Sequence, residues 1–335
     1  MAETVTLTPK QAKKLIFEAL TGAGTAPRNA GYFTDAILDT ELSGLEGHGF
    51  YWLQYYCRHL KSGKVKGKVK PLVRRVSAAA FRADARQGFA HPAIEAGFAK
   101  LIPAAKKYGI AGLAVRNSYN AATLGYHTGF LAKHGLLAFG FTNGPALMAP
   151  VGGNRPVIGT TPLSFAVPGA KGKIAFLIDQ SSTAVTWTAI KRAAEAGRAI
   201  PLGWAVDKEG KPTTDPNAGL AGSMAPFGGY KGFGQGLIVE VMCAALAGAS
   251  LGTQIGSFTE DGGKALGVGQ FFIALDPKAF SGGLFHRRIK ALVQSITSQE
   301  GARLPNARRT ANIKRLSKEG LTLDRALYET LRAFA

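Results

Sequence analysis

Gly228-Gly229-Tyr230-Lys231-Gly232-Phe233-Gly234-Gln235-Gly236 is a glycine-rich run that feeds a helical segment. What stands before it decides the fold. A dinucleotide-binding turn of the Rossmann kind needs a β-strand directly ahead, a helix behind and an acid some way on. This run follows Pro226 and Phe227 rather than a strand. Gly22-Ala23-Gly24 follows a helical segment and reads as a C-terminal cap. A doubly wound Rossmann sheet is therefore not expected. Two uses of the run stand open. Its amides, with Lys231, suit an anion at a helix N-terminus, or its glycines allow close helix packing.

Earlier in the chain, Gly44-Leu45-Glu46-Gly47-His48-Gly49-Phe50 places a histidine between two glycines, after the acidic positions Asp35, Asp39 and Glu41. Glycines permit a tight turn and keep bulk away from the imidazole. Histidine is suited to proton exchange near neutral pH. A hydrogen-bonded histidine in a capped turn explains the same residues.

The flanking sequence organises into three parts. Thr8-Pro9-Lys10-Gln11 predicts a capping box that opens a helix to about Leu20. A second helix is expected from Pro27 toward Leu42, and a third over Tyr51–Leu60, rich in aromatics that suit a core or an interface. From Val76 strand patterns take over at Val76–Arg82, Ile110–Arg116, Leu136–Thr142, Leu163–Val167, Ile174–Asp179 and Phe271–Leu275. Helical patterns cover Pro92–Tyr108, Ala121–Lys133, Val185–Gly197 and Lys231–Ala247. The last quarter reads as helix Leu284–Gln299, a basic loop, then helix Thr322–Phe334. The expectation is an α+β chain in which residues 1–75 and 283–335 form a helical unit around an α/β unit, 76–282.

The 335 residues carry a net charge of +20, which raises nucleic-acid binding as a hypothesis. The cations are scattered and no nucleic-acid signature is present, so no nucleic-acid partner is expected. Lys64, Lys66, Lys68 and Lys70 alternate with Val65, Gly67 and Val69, which predicts a solvated edge strand. No apolar run is long enough to span a bilayer. The first residues lack the pattern of a signal peptide. Cys57 and Cys243 sit far apart in apolar helical segments and read as buried thiols of a reducing cytoplasm. No Cys/His spacing points to a metal.

Taken in order, further motifs resemble one family. They are Gly47-His48-Gly49, Arg116-Asn117-Ser118-Tyr119-Asn120 with Gly125-Tyr126, Phe141-Thr142-Asn143-Gly144-Pro145 and Ala149-Pro150-Val151-Gly152-Gly153. Gly159-Thr160-Thr161-Pro162-Leu163, Ile178-Asp179-Gln180-Ser181-Ser182, Gly203-Trp204-Ala205-Val206-Asp207, Pro212-Thr213-Thr214-Asp215-Pro216 and Gly228-Gly229-Tyr230-Lys231-Gly232 continue the series. The resemblance is to the malate/L-lactate dehydrogenase family of NAD(P)-dependent oxidoreductases, and it covers nearly the whole chain. It implies a non-Rossmann cofactor- and substrate-binding domain over 76–282 with a largely antiparallel sheet, and a homodimer with the active site near the interface, the helical unit of 1–75 with 283–335 being the dimerising one. It also implies hydride transfer between nicotinamide and C2 of a small 2-oxo/2-hydroxy acid, or reduction of a cyclic 2-imino acid. By the same resemblance His48 supplies the proton. Asn120, Ala121, Ala122, Thr123, Leu124, Thr160, Asp179, Ser181, Gly229, Lys231, Arg303, Leu304, Pro305 and Arg308 would meet the cofactor. Arg303, Arg308 and Arg309 favour NADP over NAD, since guanidinium suits phosphate.

This chain departs from the family pattern at four positions. Gly47 replaces a serine, Trp52 an arginine that grips the substrate carboxylate, Asn120 a histidine, and Ala189 an acid of the imine reductases. Three explanations stand open. The substrate is larger or less anionic and stacks on Trp52; another cation, Arg58, Lys61 or Arg155, holds its carboxylate; or activity is lost. The expected substrate contacts are Trp52, Asn120 and Arg155.

Overall fold

The computed structural model describes residues 3–45 and 47–335. Strand β1 (Thr4–Leu7) leads into α1 (Pro9–Gly22). The Thr8 hydroxyl accepts the Gln11 N–H at 3.3 Å and Gln11 Oε1 accepts the Thr8 N–H at 2.8 Å, the reciprocal cap expected there. Helices α2 (Pro27–Leu42) and α3 (Phe50–Lys61) follow. Together they bury Ile16, Leu20, Phe33, Ile37, Leu53 and Tyr56 around one core.

The central sheet begins with β2 (Leu72–Arg75) and β3 (Ala80–Asp84), then α4 (Ala90–Tyr108), β4 (Ile110–Ser118), α5 (Leu124–Lys133) and β5 (Leu137–Thr142). Next come β6 (Leu163–Pro168), β7 (Ile174–Gln180) and α6 (Trp187–Glu195). A small sheet of β8 (Ala205–Val206), β9 (Pro212–Thr213) and β10 (Ser223–Met224) carries α7 (Pro216–Ala221). Helix α8 (Tyr230–Glu240) continues as a π-helical turn, Val241–Leu246, before β11 (Val268–Leu275). The large sheet has seven strands in the order β2-β3-β4-β11-β5-β6-β7, antiparallel except between β3 and β4. Side chains on β11 alternate in the strand manner. Phe272 and Ala274 enter the core shared with α4 and α5, while Phe271 and Ile273 join Val239 and Cys243 on the other face.

The chain closes with α9 (Pro277–Ser281), α10 (Phe285–Thr297), α11 (Ala307–Glu319), β12 (Leu321–Asp324) and α12 (Arg325–Arg332). β12 pairs antiparallel with β1, and Leu321, Leu323 and Leu331 complete the N-terminal core. The two ends of the chain thus share one core.

Five sequence expectations are corrected. The first sheet strand is not Val76–Arg82; a hairpin of β2 and β3 turns through that stretch. The loop expected after α10 is largely helix α11, with Arg308 and Arg309 in its first turn. Its composition is strongly polar and none of its residues is fully buried, so the stretch reads as loop from composition. Thr322–Phe334 starts as a strand because β1 offers an edge. Residues 121–123 precede α5 as irregular backbone, with Ala122 at φ +52°. Finally, Lys64–Lys70 is no strand. Lys64 is buried, donating from Nζ to the Ser257 and Glu260 carbonyls at 2.6 Å each.

Both cysteines are buried and unpaired, and burial pushes the Cys57 thiol up to about 12. Within the glycine run, close packing requires glycine at 232 and 236, where a Cβ would lie 2.3 Å from the Phe227 carbonyl oxygen and 2.7 Å from the Ile158 side chain; Gly228, Gly229 and Gly234 have open space.

Candidate active site

A cavity of about 570 Å³ opens between the N-terminal helices and the large sheet. His48 borders it from the turn ahead of α3, and Trp52 from the first turn of that helix. The turn is held from below. The His48 N–H donates to the Leu45 carbonyl at 2.8 Å, and the Phe50 N–H donates to Glu41 Oε1. A Cβ at Gly49 would fall 2.0 Å from Glu41 Oε1, so a side chain there would have to displace the carboxylate that accepts the Phe50 N–H. At Gly47 the same construction meets the Thr188 methyl at 3.4 Å, an ordinary contact. Glycine at 49 thus leaves the Glu41 carboxylate in place, while at 47 space alone does not call for glycine. Burial lowers the His48 pKa from its ordinary 6.5, opposed by Asp179 and reinforced by Arg309 and Arg192.

A second wall is Asn120–Leu124. Its irregular backbone is fastened at each residue. Asn120 Oδ1 accepts the Ala122 N–H. His127 Nε2 bonds the Ala121 carbonyl at 3.1 Å, and the hydroxyls of Thr123 and Thr40 meet at 2.5 Å. Behind it the Tyr119 hydroxyl and His59 Nδ1 share a hydrogen bond. Such fastening lets a non-glycine residue hold a left-handed conformation.

The far wall is the end of β7. Asp179 Oδ2 accepts the Gly125 N–H at 3.0 Å and the Arg309 Nη1–H at 2.8 Å. Ser181 and Thr160 border the cavity beside it. The roof is the 252–259 loop. Glu240 accepts the Gly252 N–H at 2.6 Å, and Lys64 ties down Ser257 and Glu260.

The structure therefore gathers His48, Trp52, the 120–124 segment, Thr160, Asp179 and Ser181 around one space. It places Arg155, Gly229, Lys231, Arg303, Leu304, Pro305 and Arg308 outside that lining. Arg155 and Lys231 are exposed. Arg58 pairs with Asp261 at 2.7 Å and Lys61 caps the Gly22 carbonyl, so both face away from the cavity. Sequence reading did not single out Trp187, Thr188, Phe258 or the 252–259 loop. Trp187 and Thr188 abut Ala189, which had been noticed; the loop carries no local signal.

Comparison with known proteins gives the chemistry a class. Residues 7–332 match the sequence profile of malate/L-lactate dehydrogenase. The NADP(+)-named (2R)-3-sulfolactate dehydrogenase of Chromohalobacter salexigens is 40% identical over 326 residues, spanning 97% of each chain. The delta(1)-pyrroline-2-carboxylate reductase of Ancylobacter novellus is 36% identical, over 99% of this chain and 98% of that one. The solved delta1-piperideine-2-carboxylate reductase of Pseudomonas syringae pvar. tomato superposes with a TM-score of 0.92 at 32% identity, covering 99% of this chain and all of its own. The chain is thus an oxidoreductase that does without a Rossmann fold, and its histidine turn borders a cleft on a mainly antiparallel sheet. The chain belongs to the malate/L-lactate dehydrogenase family.

Proposed function

We propose that this enzyme transfers hydride between NADPH and C2 of a 2-oxo/2-hydroxy acid, with His48 as the proton donor in reduction and acceptor in oxidation. The observation that carries the reading is that His48 and the Asp179–Ser181 wall border one cavity. The donor set fits a dinucleotide: hydroxyls of Thr123, Thr160 and Ser181, the Asp179 carboxylate, and Arg309 as a cation beside them. When bound, the nicotinamide supplies the hydride. These residues would hold it, with Ile255 and Phe258 as the apolar members of the roof above.

Hydride arrival at C2 makes the attached heteroatom basic. An imidazolium in hydrogen-bond reach discharges it. The glycine-flanked turn aims His48 without bulk. A protonated imine needs less from the acid, so reduction of a cyclic 2-imino acid is the second reading, favoured by the lowered pKa of His48 and by the reductase relatives.

Leu237, Ile238 and Val241 of α8 and its π turn are exposed, and Phe139, Phe271 and Ile273 of the sheet on which Val239 and Cys243 pack are partly exposed. An apolar face of this kind supports a homodimer. Buried, unpaired Cys57 and Cys243 suit a reducing cytoplasm. No described helix is long and apolar enough to cross a membrane.

The test is NADPH against NADH binding by calorimetry, followed by turnover on 2-oxo and cyclic 2-imino acids with His48→Ala as control. Failure to bind either nucleotide would refute the reading.

A further inference from the structure

We propose that Trp52, Trp187 and Phe258 form an apolar subsite for the group attached to C2 of the substrate. The enzyme then prefers acids that carry a ring or branched apolar chain over acids that carry a second anionic group. This rests on the reading of the cavity as the site of 2-oxo or 2-imino acid chemistry.

Three elements remote in sequence bring these rings together: α3, the start of α6, and the roof loop. The Trp52 and Trp187 centroids lie 6.2 Å apart, and those of Trp52 and Phe258 6.3 Å apart at 77°. All three rings border the cavity that His48 borders. Trp52 stands in the first turn of α3, which the His48 turn leads into, so both border the same space. The corner is backed by further rings, which limits its ability to swing open. Tyr55 packs on Trp52 at 5.1 Å and Tyr119 edges Phe258 at 5.6 Å. Ring arrangements of this spacing accept another planar or apolar group.

Charge points the same way. Among the described lining residues the cationic side chain besides His48 is Arg309. Asp179 already engages it, through Oδ2 at 2.8 Å and the carbonyl at 3.3 Å. A second carboxylate or a sulfonate in the aromatic corner would lose its water with no countercharge in reach, which is costly. The single carboxylate common to all these substrates is served by neutral donors. Asn120 has its Oδ1 engaged by the Ala122 N–H and presents its NH2. The Thr188 hydroxyl donates to the Gly47 carbonyl at 3.5 Å, a long bond that it would exchange for the carboxylate.

Two of the three tryptophans of the chain stand in this corner, so intrinsic fluorescence reports on it directly. The first experiment titrates the protein with phenylacetate and with malonate, neither of which can be reduced. Quenching by phenylacetate at a lower concentration than malonate is expected, and its loss in Trp52→Leu. The second compares kcat/KM with NADPH for phenylpyruvate, 4-methyl-2-oxopentanoate and pyrroline-2-carboxylate against oxaloacetate and sulfopyruvate. The apolar set is expected to lead by roughly tenfold or more, the scale of pocket discrimination. Phenylpyruvate and pyrroline-2-carboxylate separate an aryl oxo acid from a cyclic imine as the source of the apolar group. Trp52→Arg should reverse the preference by about 100-fold while leaving NADPH affinity unchanged.

Preference of the wild type for oxaloacetate or sulfopyruvate would overturn the proposal. So would a substrate ratio and phenylacetate response that Trp52→Arg and Trp52→Leu both leave unmoved. Absence of turnover on every substrate with phenylacetate binding intact would instead refute the catalytic reading and keep the subsite.

Discussion

The Arg309 guanidinium lies 2.8 Å from Asp179 Oδ2, joining the first turn of α11 to the end of β7. The same carboxylate oxygen takes the Gly125 N–H of α5 at 3.0 Å. One carboxylate thus holds the C-terminal region, the sheet and a helix start at the cavity. Only 21% of the arginine side chain and 8% of the aspartate are exposed.

Arg309→Ala should therefore act twice. It leaves Asp179 with a buried, partly uncompensated charge, at a cost of about 2 kcal/mol or more in unfolding free energy. It also removes the cation nearest the proposed nucleotide wall, and NADPH affinity should fall by roughly tenfold. Urea unfolding and calorimetric titration read the two effects separately. Unchanged NADPH affinity would remove Arg309 from the cofactor site.

His48→Ala should lower kcat for reduction by roughly 10²–10⁴-fold, the range of general acid catalysis, with NADPH binding retained. The environment of His48 disfavours its charged form, so its pKa lies below 6.5. Reductive kcat/KM on a 2-oxo acid should fall as pH rises through that pKa. Oxidation of the 2-hydroxy acid should rise through the same pKa. A reductive limb centred above 7 would contradict this assignment.

Acid stability follows from other buried histidines, His91 among them, whose pKa burial holds well below 6.5. Burial holds both His59 and His127 down to about 4, from 6.5. In each the folded state binds fewer protons than the unfolded chain between these values. Their contribution is complete above pH 6.5 and is lost as pH falls toward 4, by ~3 kcal/mol each. Unfolding free energy measured from pH 7.5 to 4.5 should show this decline. His127→Gln should flatten it if that substitution folds.

Ile238→Asp with Val241→Asp should dissociate the proposed dimer, because both side chains are more than half exposed on the apolar face. Sedimentation velocity should show a monomer of about half the mass with its secondary structure intact. A monomeric wild type would end the dimer reading.

Much of this protein is local and was legible in its sequence. The Thr8–Gln11 box, the prolines opening α1 and α2, and the alternating apolar strands act over a few residues. They therefore need no knowledge of what packs against them. The absence of a strand before the Gly228–Gly236 run likewise argued against a Rossmann turn, and His48 on its glycine-flanked turn stood out. What lay hidden was set by partners far along the chain. Lys64 is buried because carbonyls of the 257–260 segment wait for it. Thr322 is in a strand because β1 presents an edge. Trp52 faces a cavity because Trp187 and Phe258 complete its wall. Periodicity records which face of an element is apolar, but not what that face meets. Only the tertiary structure, which brings residues more than a hundred positions apart into contact, decided that Trp52 lines the cavity while Arg155 stands outside its lining.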